Sequence, residues 1–263
     1  MASEPTFTDE KILYDQPLAE RPPPREDGGY KKHLLTRSIP AILVLVVTYT
    51  LFRSFFVCQH HYAPGDFPPF AGPADTDHPK VELEAHGMSR CPDYADCLRQ
   101  LIVPTMIQVG DKVNFTLSFI GRVDPKSDAV SCMHGPAECL GNIIELCAAK
   151  VYPDPKIYLG FANCLASNYH DIPDRDLVEE CAMEHAIDFQ RLNRCISDEG
   201  DGIDLLRASI QRSQENNVTK SCTVRLAGKI RCIRDGGKWY DCPGGSSVDD
   251  LVREINQLYN EEY

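Results

Sequence analysis

From residue 81 the chain alternates: Val81, Leu83 and Ala85 are apolar while Glu82 and Glu84 are polar, the period-two pattern of a half-buried strand. Gly87-Met88-Ser89 then leads into Cys91-Pro92-Asp93. Proline is favoured at a first helical position, so a helix is expected to start there. Leu98, Leu101 and Ile102 follow at helical spacing, and Pro104 falls near the helix end or kinks it. Val113, Phe115, Leu117 and Phe119 alternate again, giving a second strand. A strand, a cysteine at a helix start, a helix and another strand open an α/β layout. From about residue 142 to 216 the pattern turns helical, punctuated by Pro153-Asp154-Pro155, Pro173 and Glu199-Gly200-Asp201-Gly202. Cys147, Cys164, Cys181 and Cys195 fall within those helices, which reads as a helical insert pinned by disulfides, since short helices draw their stability from crosslinks and packing. Residues 223–226 and 229–234, separated by Ala227-Gly228, read as a hairpin, and residues 248–259 as a closing amphipathic helix.

Ahead of this region the composition changes. Residues 1–38, with Arg21-Pro22-Pro23-Pro24-Arg25, hold too little apolar content to fold alone and read as a disordered cytosolic tail. Residues 39–57 form the one long apolar run, about long enough for a bilayer core of ~30 Å. Arg21, Arg25, Lys31, Lys32 and Arg37 precede it and only Arg53 follows closely, so the positive-inside rule predicts a type II signal anchor with a lumenal C-terminal part. Residues 58–79 are Pro-rich and read as a stalk, leaving 80–263 as the folded domain.

Charge and cysteine content narrow the function classes. A net charge of −12 without a basic cluster in the cysteine-rich part argues against nucleic acid as a partner. All 12 cysteines lie at or beyond Cys58, a density that fits an oxidising compartment of the secretory or vacuolar-lysosomal system. Asn114-Phe115-Thr116 and Asn217-Val218-Thr219 are glycan acceptor sequons that this topology places in the lumen.

One ordered cluster stands out: Cys132, His134, Gly135, Glu138, Cys139, Asn142 and Cys147, in the spacing Cys-x-His-Gly-x-x-Glu-Cys-x-x-Asn-x-x-x-x-Cys. With Cys91-Pro92 upstream and the later Cys164, Cys181-Ala182 and Cys195, the chain resembles the gamma-interferon-inducible lysosomal thiol reductase (GILT) family over roughly residues 81–260. The resemblance implies an α/β fold with a thioredoxin-like core carrying a disulfide-rich helical insert, here preceded by one transmembrane helix. It also implies thiol-disulfide exchange on protein disulfides, with no cofactor. The family's Cys-x-x-Cys maps to Cys91 and Tyr94, so the second cysteine is absent; Pro104-Thr105 keeps the family's spacing. Near Cys222-Thr223-Val224, where a thioredoxin-like protein carries a cis-proline facing the active thiol, this chain has no proline.

A thiol exchanges disulfides as thiolate, and the amide-rich start of a helix favours that form, which singles out Cys91. A mixed disulfide must then be resolved. Cys97 is the next thiol, but in a continuous helix it sits ~9 Å along the axis from Cys91. Disulfides need Cα atoms within ~7 Å, so that pairing requires an unwound first turn. Either Cys97 or an external small thiol is therefore the expected resolver. Parity leans to a free Cys91: with Cys58 set aside, ten cysteines remain for five bridges, among them Cys164, Cys181, Cys195, Cys222, Cys232 and Cys242. His134 and Glu138 with Gly135 are expected to shape the turn into the insert. Cys132, His134, Cys139 and Cys147 do not have the spacing of a structural zinc site, and no metal is expected. The reading is a lumenal thiol reductase acting on disulfide-containing proteins; the alternative is a non-catalytic, disulfide-stapled ectodomain used for binding or structure.

Overall fold

The computed structural model describes residues 79–197 and 201–261. The tail, the anchor at 39–57, the stalk up to residue 78 and Cys58 lie outside the described residues. Among the described residues no helix is long and apolar enough to cross a membrane.

Strands β1 (Val81–Gly87) and β2 (Val113–Phe119) pair in parallel, from Val81 opposite Val113 to Gly87 opposite Phe119. Parallel neighbours need a crossover connection. Here it is α1 (Pro92–Cys97), a π-helical stretch (Leu98–Ile102) and α2 (Val103–Val109) in direct succession. Pro104 does not end the helix: the wide turn just ahead of it accommodates the ring and the lost N–H, and helical structure runs on to Val109.

Strand β5 (Thr223–Leu226) adds antiparallel to β1, followed by β6 (Lys229–Asp235) and β7 (Lys238–Tyr240), giving the order β2-β1-β5-β6-β7. Ala227 and Gly228 both take positive φ, 46° and 76°, the backbone that lets a two-residue turn follow the twist of its strands. Helix α8 (Val248–Glu261) packs on α2 and β1. A βαβ unit extended by an antiparallel hairpin and a closing helix, with β1 between β2 and β5, is the thioredoxin-like arrangement. The short pairs β3 (Arg122–Val123) and β4 (Val130–Ser131) form a separate ribbon that sequence periodicity did not indicate, being only two residues per strand.

Between β4 and β5 run α3 (Pro136–Val151), α4 (Pro155–Ser167), α5 (Arg175–Glu184), α6 (Phe189–Ser197) and α7 (Asp201–Glu215). The helices open at Pro136, six residues ahead of the expected Asn142. Asp154 and Asp174 cap α4 and α5 by accepting from the amides of Lys156 and Asp176. Cys147–Cys195 staples α3 to α6, and Cys164–Cys181 staples α4 to α5. Loops of 48 and 17 residues are closed by these bridges, which in the chain-entropy account contribute about 4 and about 3 kcal/mol. Helix α7 returns to the sheet, where Ser209 Oγ accepts from the Phe119 amide and Ser213 Oγ donates to the Phe119 carbonyl at the end of β2.

Candidate functional site: the Cys91 turn

Leaving β1, the chain makes a tight turn in which the Cys91 amide donates to the Met88 carbonyl at 3.0 Å. Cys91 is the N-cap of α1 in extended conformation (φ −99°, ψ 127°), and the amides of Tyr94 and Ala95 donate to its carbonyl. Its half-buried thiol lies 3.9 Å from the Ser221 carbonyl oxygen. Among the described residues it is the one cysteine outside a disulfide. The Ser221–Cys222 peptide facing it is cis, without a proline. Ser221 Oγ is buried and has no hydrogen-bond partner among the described residues.

Asp93, two residues on, fixes the helix start against the β6–β7 turn. Its carboxylate accepts from the amides of Gly236 and Gly237 at 2.8 Å each, and Arg234 reaches both Asp93 (3.6 Å) and Asp96 (2.5 Å). The guanidinium also lies over the Trp239 ring at 5.4 Å. Gly236 and Gly237 have φ of 60° and 73°, a backbone that side chains with a Cβ rarely adopt, so the turn that presents these two amides needs glycine.

The seven-residue signature holds the other side of the turn. Gly135 takes φ 83°, and its carbonyl accepts from the amides of Glu138 and Cys139 as α3 begins. The buried Glu138 carboxylate takes the His134 ring and the His134 amide, so these two residues build the entry to α3. Cys132–Cys139 closes that entry covalently. Asn142 Oδ1 accepts from the Ser89 amide at 2.9 Å, Asn142 Nδ2 lies 3.8 Å from Cys132 Sγ, and Ser89 Oγ donates to the Glu138 carbonyl. Ser89 is two residues before Cys91. The signature thus clamps the loop that presents the thiol, while its last member, Cys147, serves the insert. Gly141 completes the clamp: a Cβ there would meet Ser89 Oγ at 2.5 Å, and the sequence carried no signal for this close approach beyond the glycine itself.

Cys97 requires a correction. The expected resolver is fully buried and bonded to Cys222, 125 residues away, so it carries no free thiol to resolve a mixed disulfide on Cys91. Tyr94, in the place of the second Cys-x-x-Cys cysteine, is also fully buried. Its ring packs edge-on to Phe119 and against Gly87, where a Cβ would lie 2.1 Å from the ring, and its hydroxyl donates to Glu145 Oε2 at 2.6 Å. Burial pushes the Glu145 carboxyl up to about 8 and the Tyr94 phenol well above its ordinary value. Tyr94 is thus a core side chain with a protonated acid as partner.

The remaining site residues are structural in placement. Cys232 pairs with Cys242 across β6 and the segment after β7. Asn114 is exposed on the edge strand β2, and Asn217 is exposed with φ 55° just after α7. Cys164, Glu184 and His185 bring ligand-type atoms within 4.8 Å, but the Cys164 sulfur is bonded to Cys181 and offers no thiolate to a metal.

Sequence comparison agrees with this geometry. The profile of the gamma interferon inducible lysosomal thiol reductase family matches residues 82–185, from β1 to the end of α5. GILT-like protein 1 of Drosophila melanogaster is 28% identical over 132 residues, 44% of this chain and 53% of that protein. The gamma-interferon-inducible lysosomal thiol reductase of Carassius auratus is 38% identical over 74 residues, 27% of this chain and 30% of that protein. A solved structure of the reduced disulfide bond oxidoreductase DsbG from Mycobacterium tuberculosis superposes with a TM-score of 0.48 at 18% identity, covering 70% of this chain and 81% of that one. The stretches matched in the two relatives are about half and under a third of their lengths. Over residues 82–185, the stretch that carries the Cys-Pro turn and the signature clamp, the chain is similar to the gamma-interferon-inducible lysosomal thiol reductase family.

Proposed function

We propose that this chain is a thiol-disulfide oxidoreductase that reduces protein disulfides by a monothiol route through Cys91. The observation that carries the reading is that Cys91 is free and half-exposed at a helix start, while the other ten described cysteines are bridged in pairs. The Cys91 thiolate attacks one sulfur of a substrate disulfide; the new S–S bond forms as the substrate bond breaks, and the second substrate sulfur leaves as thiolate. An external small thiol then attacks the mixed disulfide and frees the first substrate sulfur. A second small thiol removes the first from Cys91 as a small-molecule disulfide. Two external thiols are oxidised for each substrate disulfide reduced, and Cys91 returns as thiolate. No cofactor enters.

The five bridges and two exposed sequons support a lumenal, oxidising setting in the lysosomal, vacuolar or secretory system, with the apolar run at 39–57 as a type II anchor. The rival, a binding or structural module on the same scaffold, is favoured by two features, the replacement of a resolving thiol by the core residue Tyr94 and the absence of a proline at the cis peptide facing Cys91. Insulin reduction with a small thiol as co-reductant separates the two. Cys91→Ser is expected to lower the rate at acidic and neutral pH on the order of a hundredfold or more; equal rates for the variant and the natural chain would remove the reductase reading.

A further inference from the structure

Beside the thiol lies a groove of about 620 Å³, bounded by the Cys91 turn, the β3–β4 ribbon and the segment after α7. Its floor is apolar: Met88, Ile120 and Val218 are buried against one another, and Cys91 packs against this cluster. Met133 stands on its rim with 76% of its surface exposed, beside Arg122 and Asn217. A methionine left in water at the mouth of an apolar groove is an adaptable, polarisable surface suited to varied side chains.

We propose that this groove is the substrate subsite of the reductase, taking apolar side chains of the polypeptide segment that adjoins the cystine under attack. The inference rests on Cys91 being the attacking thiol. A substrate sulfur must come within bonding distance of Cys91, and an extended chain advances about 3.3 Å per residue, so the residues next to the substrate cystine arrive over Met88, Ile120 and Val218. The volume is that of a pocket holding a small-ligand-sized group, larger than one sulfur needs. Charge narrows the occupant. On a chain of net charge −12, the described residues lining the groove include no carboxylate and one cation, Arg122, so the segment is apolar and neutral or carries an acidic neighbour. A small hydrophilic disulfide would use the thiol and leave the groove empty.

The test uses the full chain and two cystine peptides identical except for Leu or Ser beside the half-cystines, with the uncharged bis(2-hydroxyethyl) disulfide as a small disulfide. The natural chain is expected to react with the Leu peptide roughly ten to a hundred times faster than with the Ser peptide. Met133→Asp and Met133→Ser, both at an exposed position that folding does not depend on, should each remove most of that preference while leaving the rate with the small disulfide unchanged. Binding of the closed Leu peptide to Cys91→Ser, read by fluorescence anisotropy, separates the two ideas: it should weaken about tenfold on adding Met133→Asp, whether or not Cys91 is reactive. Equal rates for both peptides, or variants that keep the preference and the binding, would overturn the subsite. An inert Cys91 together with groove-dependent peptide binding would sink the reductase and leave the subsite standing.

Discussion

Tyr94 and Glu145 decide how this site differs from a dithiol pair. A buried tyrosine at the position one turn beyond Cys91 supplies no resolving sulfur, and its hydroxyl is committed to Glu145. Tyr94→Phe keeps the ring against Gly87 and Phe119 and removes only that hydrogen bond, so it should cost about 1–3 kcal/mol of stability and leave disulfide exchange unchanged, measured by urea unfolding and insulin reduction together. Glu145 also sets a pH dependence. Its folded-state value, about 8, lies above the ordinary carboxylate value of 4.5, so the folded chain holds a proton that the unfolded chain has released. Stability from this group is therefore fully present below pH 4.5 and is lost as pH rises towards 8, by at most about 1.4 kcal/mol per pH unit. His86 acts in the opposite direction: burial holds it below its ordinary 6.5 despite Glu84, so its contribution is lost as pH falls. The Glu145 effect is isolated by comparison with Glu145→Gln, which should flatten the slope between pH 4.5 and 8 and be the more stable protein at pH 8. Neither partner's role was legible beforehand, because a tyrosine in an amphipathic helix and a glutamate in another give no sign that they meet across 51 residues.

At the scale of elements, the thiol turn is held from two sides: Asp93 ties α1 to the β6–β7 turn, and Asn142 with the Glu138 carbonyl ties Ser89 to α3. The signature spacing marked α3 as important, and its action through Ser89 emerged only from the fold. Asn142→Ala leaves the buried Ser89 amide without its acceptor; exchange should slow about tenfold and stability fall by about 1–3 kcal/mol. Asn142→Asp retains an oxygen for that amide and should recover most of the rate, which a general loss of packing would not allow. Strands β1, β2, β5 and β6 and helix α8 were readable because their patterns are local: alternation, a two-residue turn, a helical apolar stripe. Strand β7 and the β3–β4 ribbon were not, since two or three residues carry too little periodicity to register.

For the whole molecule, disulfide connectivity is the part that sequence left open. Parity suggested one free thiol and five bridges, but nothing local joins Cys97 to Cys222 across 125 residues; sheet pairing brings β5 beside β1 and so places Cys222 near the crossover helix. With Cys97 occupied in this way, Cys91 is left as the one free thiol among the described residues. The most direct test is to treat the unreduced full chain with 5,5′-dithiobis(2-nitrobenzoate) and map the peptides by mass spectrometry without a reductant. The account predicts a thionitrobenzoate adduct on the peptide carrying Cys91, with Cys97 recovered crosslinked to Cys222. An unmodified or bridged Cys91, with the adduct on Cys97 or Cys222 instead, would contradict it.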